Sequence, residues 1–502
     1  MGWSDIGDTE GLFDRGMDSL QALQLTRALR RSFHRPDVAL STVYQNPTVS
    51  QLAAIILGQN HQEQDKEVME DLLATYRGRI QQIPVSKSTV ALTKNARERT
   101  NVLVTGTTGT IGTHLLRALL DNKSVGHIFC LNRREDGGRA AQFKSFTAAG
   151  FDVAQLGDSN HVTFLKADLQ APSLGLEVPV YNDLCSRVDT IIHAAWPVNF
   201  NFGLLAFRPH LAGLVNLLAL AAATVASQSG QPCRFFFISS IAAVEGYKFG
   251  PIPEEVLTDF DVSAPLGYAR SKFIAELLLN AAAQKLGESV LTTIVRVGQV
   301  AGAVRGPGLW NTHEWFPSMV IGSLHLDQVP DSLGLYSDNV DFLPVDLLGN
   351  ILTEIATTTQ AEEVGKERSG AMVYNLCNPH PAPWHELLTA VTNKPGGRLE
   401  VVPPATWLDT LRESTQELEN DDDLIAKNPA VKLVDFFEKL WVAHSEVDTS
   451  SSGGIGRHPM RIERALEASS TLRSLSPVTL EWMQKWVQEW SALPKKSQNP
   501  HI

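Results

Sequence analysis

Residues 101–112, Asn101-Val-Leu-Val-Thr-Gly106-Thr-Thr-Gly109-Thr-Ile-Gly112, pass from an apolar strand pattern through three glycines, spaced three apart, into an amphipathic helix pattern. A chain making this passage must turn tightly, admit a ligand to its backbone and bring the helix close onto the strand. Glycine meets all three demands. The helix beyond offers unpaired amides and the positive end of its dipole. The stretch therefore predicts a pyrophosphate cradle built from Thr105, Gly106, Thr108, Gly109, Thr110, Ile111 and Gly112, and with it a dinucleotide site.

Outward from this point, strand-like segments (127–131, 162–165, 190–193, 234–239, 292–297) alternate with helix-like ones (111–120, 211–226). The alternation predicts an α/β fold over residues 100–300: a Rossmann-type, doubly wound parallel sheet with helices on both faces. Beyond residue 300 the pattern loosens into Pro/Gly turns, an acidic stretch at 419–423 and a Ser/Gly stretch at 450–454. Residues 301–502 are expected to form a mostly helical substrate-binding subdomain interleaved with the core. Its final helix carries Trp482, Trp486 and Trp490 four apart, a spacing read as core packing. Upstream, residues 1–60 read as a small helical unit and 61–99 as a polar linker with one helix near 68–76.

Composition narrows the function. Lys and Arg total 43 against 55 Asp and Glu, a net charge of -12, which disfavours binding to nucleic acid or to an acidic membrane. The longest apolar run, 214–226, is short of a bilayer span and contains Asn216. The four cysteines, Cys130, Cys185, Cys233 and Cys377, show no paired spacing, so neither a disulfide framework nor a metal site is expected. A reducing, cytoplasmic setting fits that usage.

The second strand ends Cys130-Leu-Asn132-Arg133-Arg134, where a site preferring NAD offers a carboxylate to the ribose hydroxyls. Two arginines suit a 2′-phosphate instead, which predicts NADPH; the alternative is a pair of solvated loop charges. Asp168 and Leu169 follow the third strand, placing Asp168 within reach of the adenine. His193, Ala194 and Ala195 close the next, where small residues permit close approach of the cofactor. His193 reads equally well as a satisfied core histidine.

Tyr268-Ala-Arg-Ser-Lys272 sets a phenol and an ammonium four apart on one helix face. A nearby ammonium is expected to lower the phenol's pKa. The preceding strand ends Ser239-Ser240, a hydroxyl source for orienting a carbonyl oxygen.

Together these residues resemble an extended short-chain dehydrogenase/reductase. More narrowly, they resemble the thioester reductase domain that ends carboxylic acid reductases and some nonribosomal peptide and polyketide synthases. The resemblance rests on Thr105-Gly-x-x-Gly-x-x-Gly112, the serine pair, Tyr268-x-x-x-Lys272 and Arg296-Val-Gly-Gln299-Val-Ala-Gly302. His193-Ala-Ala-Trp196-Pro-Val-Asn-Phe-Asn201 is similar to a segment of fungal adenylating reductases, with Ala194 where asparagine is usual. The resemblance implies Ser240, Tyr268 and Lys272 as catalytic residues, with Ser239 as fallback, and Val297 among those lining the cofactor.

Leu12-Phe-Asp14-Arg-Gly-Met-Asp18-Ser19-Leu-Gln21 resembles the attachment motif of an acyl or peptidyl carrier, which implies 4′-phosphopantetheine on Ser19. The other reading of that stretch is an ordinary N-cap. Few residues precede the motif, so the first carrier helix is expected to be missing from a chain cut from a longer NRPS-like enzyme. An upstream adenylation domain and a phosphopantetheinyl transferase are the implied partners. The expected activity is NADPH-dependent reductive release of a carrier-bound acyl thioester as an aldehyde, or onward to an alcohol. The alternatives are a stand-alone extended reductase or epimerase acting on a free small molecule, and a redox-silent offloading or docking module.

Overall fold

The computed structural model describes residues 6–492 apart from 9, 14, 18, 36–37, 39, 58–61, 86–98, 200–201, 229–230, 309, 335–336, 359–369, 395–396, 418–427 and 442–458. The acidic stretch at 419–423, the Ser/Gly stretch at 450–454, and Asp14, Asp18 and Asn201 of the quoted motifs lie outside the described residues.

Among its described residues the N-terminal unit holds three helices, α1 (Ser19–Phe33), α2 (Leu40–Gln45) and α3 (Val49–Ile56). Thr48 caps α3 by accepting the Gln51 amide. Leu12, Met17, Ala22, Val43 and Leu52 form its small core, and Phe13 stacks on Tyr44 at 4.7 Å.

The seven main strands are β1 (Thr100–Thr105), β2 (Val125–Asn132), β3 (Val162–Lys166), β4 (Thr190–His193), β5 (Cys233–Ser240), β6 (Val290–Val297) and β7 (Met372–Leu376). All pairings are parallel, in the order β7-β6-β5-β4-β1-β2-β3. The strand order reverses between β1 and β4, the crevice where ligands bind in such sheets. The edge strand β7 comes from beyond residue 300, so the sheet itself is completed from within the C-terminal half.

One face of the sheet carries α4 (Gln62–Gln81), and further along the chain Val178–Arg187, Arg208–Ser227 and Gly267–Leu286. The other carries Thr110–Asp121 and Val345–Thr358, where Gly349 lets the two helices meet: an added Cβ would lie 2.6 Å from the His114 carbonyl oxygen. The expected linker thus contains a 20-residue helix, Gln62–Gln81, rather than the shorter one expected near 68–76. Its Met69, Leu72, Tyr76 and Ile80 are buried in the sheet's core, and Tyr76 donates to the Arg208 carbonyl at 2.9 Å. The low overall hydrophobicity of α4 hid this, because one apolar stripe suffices to dock a helix.

Leu204–Ser227 is long and apolar enough to span a membrane by composition, at a mean hydropathy of 1.6, yet 67% of that window is buried inside the protein. Asn216, the polar break in it, donates to the Leu169 and Ala171 carbonyls and accepts from Arg79. It is a core helix satisfied by its neighbours.

The C-terminal region forms a third core around Trp310, Phe316, Trp384, Trp407, Trp486 and Trp490. Trp486 and Trp490 are buried and Trp482 packs partly against the same core, so the tryptophan stripe is packing.

Candidate active site

Gly106 follows β1 with φ +77°, and a Cβ there would lie 2.7 Å from the Ala195 amide nitrogen. A Cβ on Gly112 would lie 2.0 Å from the Gly106 carbonyl oxygen. Both glycines are therefore sterically required. Gly109 caps the helix Thr110–Asp121 and leaves its first residues, with Thr108 and Ile111 partly covered beside it, at the carboxyl edge of the sheet. Thr105 Oγ1 accepts the Ala195 amide (3.2 Å) and bonds His193 Nδ1 (2.7 Å). Those two bonds tie β1 to the Ala194-Ala195 passage beyond β4. The chain thus offers a tight glycine turn opening a helix N-terminus, the kind of backbone cradle a pyrophosphate needs.

Arg133 and Arg134 are exposed just past β2. The strand end is fixed beneath them by Asn132, which donates to Thr107 Oγ1 (3.0 Å) and the Gly137 carbonyl (2.9 Å). Asp168 is exposed past β3, its Oδ1 accepting the Gln170 amide, with the partly buried Leu169 beside it. Val297, at the end of β6, is buried and in register with Ser240.

His193 is fully buried. One ring nitrogen is held by Thr105 and Nε2 has no partner, so it is only half satisfied as a core histidine. Burial drives its pKa down to about 3, with Lys272 and His210 adding to the fall. His210 is pushed down to about 4 by burial and by the nearby charges of Arg133 and Lys272.

Ser240 caps a short turn at the end of β5, accepting the Ala242 amide, and its hydroxyl is hydrogen-bonded to that of Tyr268. Ser239 points elsewhere: it is buried and donates to Glu276 at 2.6 Å. Glu276 is clamped by Arg296 through contacts of 2.7 to 3.1 Å, both side chains being buried. The serine pair is thus divided between a buried tie and a hydroxyl that meets the phenol.

Lys272 Nζ donates to the Ile238 carbonyl (2.6 Å) and sits 4.4 Å and 4.7 Å from the Phe237 and Trp196 ring centroids. Trp196 is oriented by donating to Ser271 Oγ, which donates to the Tyr268 carbonyl. The expected lowering of the phenol's pKa by Lys272 is not what the structure gives. Burial pushes Tyr268 up to about 12 against the Ser240 hydrogen bond, and burial also drives the Lys272 ammonium well below its usual value, opposed by Glu276. The apolar walls that make the site also disfavour both charged forms.

Spacing alone did not reveal the Ser239–Glu276–Arg296 tie, although a carboxylate in the apolar run Phe273 to Leu279 was a readable signal. Gln299 with Glu314 was missed for lack of any local pattern. Ser19 is the first residue of α1, in the loop-to-helix position the attachment motif requires. Among the described residues no cluster of His, Cys, Asp and Glu has the makings of a metal site.

Residues 104–352 match the NAD-binding family described as male sterility protein, and residues 2–56 match the phosphopantetheine attachment site family. The chain is 32% identical to a carboxylic acid reductase of Neurospora crassa over 96% of its own length and 44% of the relative's. It is 27% identical to an adenylate-forming reductase of Heterobasidion annosum over 97% of its length and 44% of that protein's. It therefore spans less than half of either relative. Among solved structures, a thiolation-reductase di-domain from an archaeal nonribosomal peptide synthetase superimposes with a TM-score of 0.64 at 18% identity, covering 97% of this chain and 94% of that one. That likeness extends the shared fold across both the N-terminal unit and the sheet domain.

Proposed function

The chain belongs, through its sheet domain, to the NAD-binding family described as male sterility protein, and its N-terminal unit is a phosphopantetheine attachment domain; from these premises we propose that it reductively releases carrier-bound acyl thioesters as aldehydes. The observation that carries this reading is the pairing of the Ser240 and Tyr268 hydroxyls beside Lys272, on the same edge of the sheet as the glycine cradle.

In this reading Ser19 holds the acyl group on a 4′-phosphopantetheine arm installed by a phosphopantetheinyl transferase. An adenylation domain supplies the acyl group, consistent with the relatives' adenylate-forming description. The cradle from Thr105 to Gly112 takes the cofactor pyrophosphate, Arg133 and Arg134 select the 2′-phosphate, and Asp168 and Leu169 flank the adenine. His193, Ala194, Ala195 and Val297 line the approach to the ring. NADPH, when bound, supplies the hydride for the thioester carbonyl carbon.

Ser240 and Tyr268 hold the carbonyl oxygen, and a phenol kept protonated by burial then gives that oxygen its proton. Lys272, anchored at Ile238, positions the tyrosine and reaches the nicotinamide ribose. The hemithioacetal so formed breaks its C–S bond to give aldehyde and the pantetheine thiol.

The test is to incubate the intact chain with NADPH and a panel of acyl pantetheine thioesters, measuring NADPH consumption and product. Stoichiometric aldehyde and thiol are expected. Release of acid or a cyclic product without NADPH consumption would refute the reading.

A further inference from the structure

Gln299 and Glu314 form a polar node that no step above uses. Gln299 lies two residues beyond Val297, which is in register with Ser240 across neighbouring strands. Strand spacing and chain reach place the Gln299 Cα within about 12 Å of that of Ser240, at the sheet's carboxyl edge. Glu314 opens the helix Trp315–Leu326. Its Oε2 accepts the Trp310 indole N–H (3.0 Å) and the Gln299 amide (3.4 Å), while Gln299 Oε1 accepts the Trp315 indole N–H (2.9 Å).

One indole and a glutamine amide thus fix one oxygen of the carboxyl group, and the second indole holds the glutamine. The other oxygen takes part in none of these bonds, and the residue is only half-buried. Its surroundings are apolar on the Trp310 side, where Phe316 stacks on the indole and Phe342 and Trp486 meet it edge-on. Among the described residues no ion pair engages this carboxyl, and desolvation raises its pKa to about 7, so that the carboxylate with its free acceptor oxygen prevails above neutral pH. A polar group kept in place at that cost, with an acceptor left over, is the arrangement by which a site recognises a donor on its ligand.

We propose that Glu314 is a specificity-determining residue that accepts a hydrogen bond from a hydroxyl or ammonium group on the acyl chain, selecting donor-bearing acyl groups over plain ones. The proposal rests on the thioester-reductase reading and names the substrate class of that site. Trp310, Trp315 and Gln299 act as positioning residues that hold the carboxyl group.

The test uses the intact chain and matched pantetheine thioesters of one acyl skeleton bearing hydroxyl, amino, methoxy or no substituent. The donor-bearing members are expected to exceed the unsubstituted one in kcat/KM by roughly tenfold or more. Hydroxyl and amino arms separate the two kinds of donor. In Glu314→Gln the amide oxygen keeps the indole bond and its NH2 replaces the free acceptor, so the preference should turn toward methoxy.

The same ratios are read a second way, by calorimetric binding of non-reducible thioether analogues in the presence of NADP+. If no thioester is reduced but the donor-bearing analogue still binds about tenfold tighter, the reductase reading fails and the Glu314 assignment stands. Ratios near one in the wild type, or ratios unchanged in Glu314→Gln, overturn the assignment by either measurement.

Discussion

Arg296 is the most completely engaged cation in the described sheet domain, and its replacement has a consequence that can be worked through. Its Nε and Nη2 contact both Glu276 oxygens, Nη1 reaches the Pro253 carbonyl (3.2 Å) and Nη2 the Glu255 carbonyl (2.9 Å). The group ties β6 to the helix Gly267–Leu286, where Glu276 lies one turn past Lys272 and two past Tyr268, and to the loop after Ser240. Arg296→Met keeps the bulk but strips Glu276 of its counter-ion, leaving only the Ser239 hydroxyl. Stranding a buried charge costs about 3–5 kcal/mol. Removing Glu276 as well, as Arg296→Met/Glu276→Leu, takes away the stranded charge and leaves three neutral polar groups short of partners, at about 1 kcal/mol each. The two carbonyls go short in both variants, so the double variant should be more stable than Arg296→Met alone by the stranded charge less one hydroxyl, about 2–4 kcal/mol. Urea unfolding followed by circular dichroism reads the difference. If the double variant is as unstable as the two single losses added together, the stranded-charge argument is wrong and packing alone explains the loss.

Preference for NADPH over NADH should exceed about tenfold and collapse in Arg133→Ala/Arg134→Ala, because charge-assisted phosphate contacts are the stronger hydrogen bonds; comparison of kcat/KM for the two cofactors checks it. Tyr268→Phe should cut reduction by about 100-fold or more while NADPH affinity, read by fluorescence titration, changes only a few-fold; Lys272→Ala should damage both. Ser19→Ala should block reduction of an acyl group loaded through the carrier yet spare reduction of a free pantetheine thioester, as intact mass and product analysis will show. His193 and His210 are held neutral, with pKa values near 3 and 4 against 6.5 when unfolded, so the unfolded chain binds more protons between those values. Stability should fall as pH drops below about 6.5, and His193→Gln should flatten that fall in pH-dependent unfolding.

How much of this was legible depends on how local the cause is. The cradle could be read because Gly106 and Gly112 are required by contacts within a few residues or with the next strand. Ser240, Tyr268 and Lys272 are close on the sheet and helix that spacing predicted. The resemblance already preferred Ser240 to Ser239, but what occupies Ser239 needed the fold, since its tie runs to Glu276, 37 residues away, and on to Arg296, 20 residues beyond that. The packing of α4 depends on a helix stripe meeting distant helices, and β7 reaches the sheet from residue 372, which periodicity cannot foresee. Gln299 and Glu314 are brought together only by the turn that follows β6.

The chemistry of the dyad was the least legible part, and the reason is physical. Spacing places Lys272 one helical turn from Tyr268, which in water would favour the phenolate. Phe237 and Trp196 instead enclose the amine, and Tyr268 is itself buried at 6% exposure. Desolvation then penalises ammonium and phenolate together, and the penalty outweighs an attraction that would need both ions. What remains is a pair of neutral hydroxyls, hydrogen-bonded to each other. In the proposed reaction, charge that develops on an oxygen beside them is met by hydroxyl donors that need only turn locally, in surroundings of low dielectric where each bond counts for more than in water. The burial that denies Tyr268 the role of a base thus fits it to give up its proton only when a stronger base, the nascent oxyanion, is beside it.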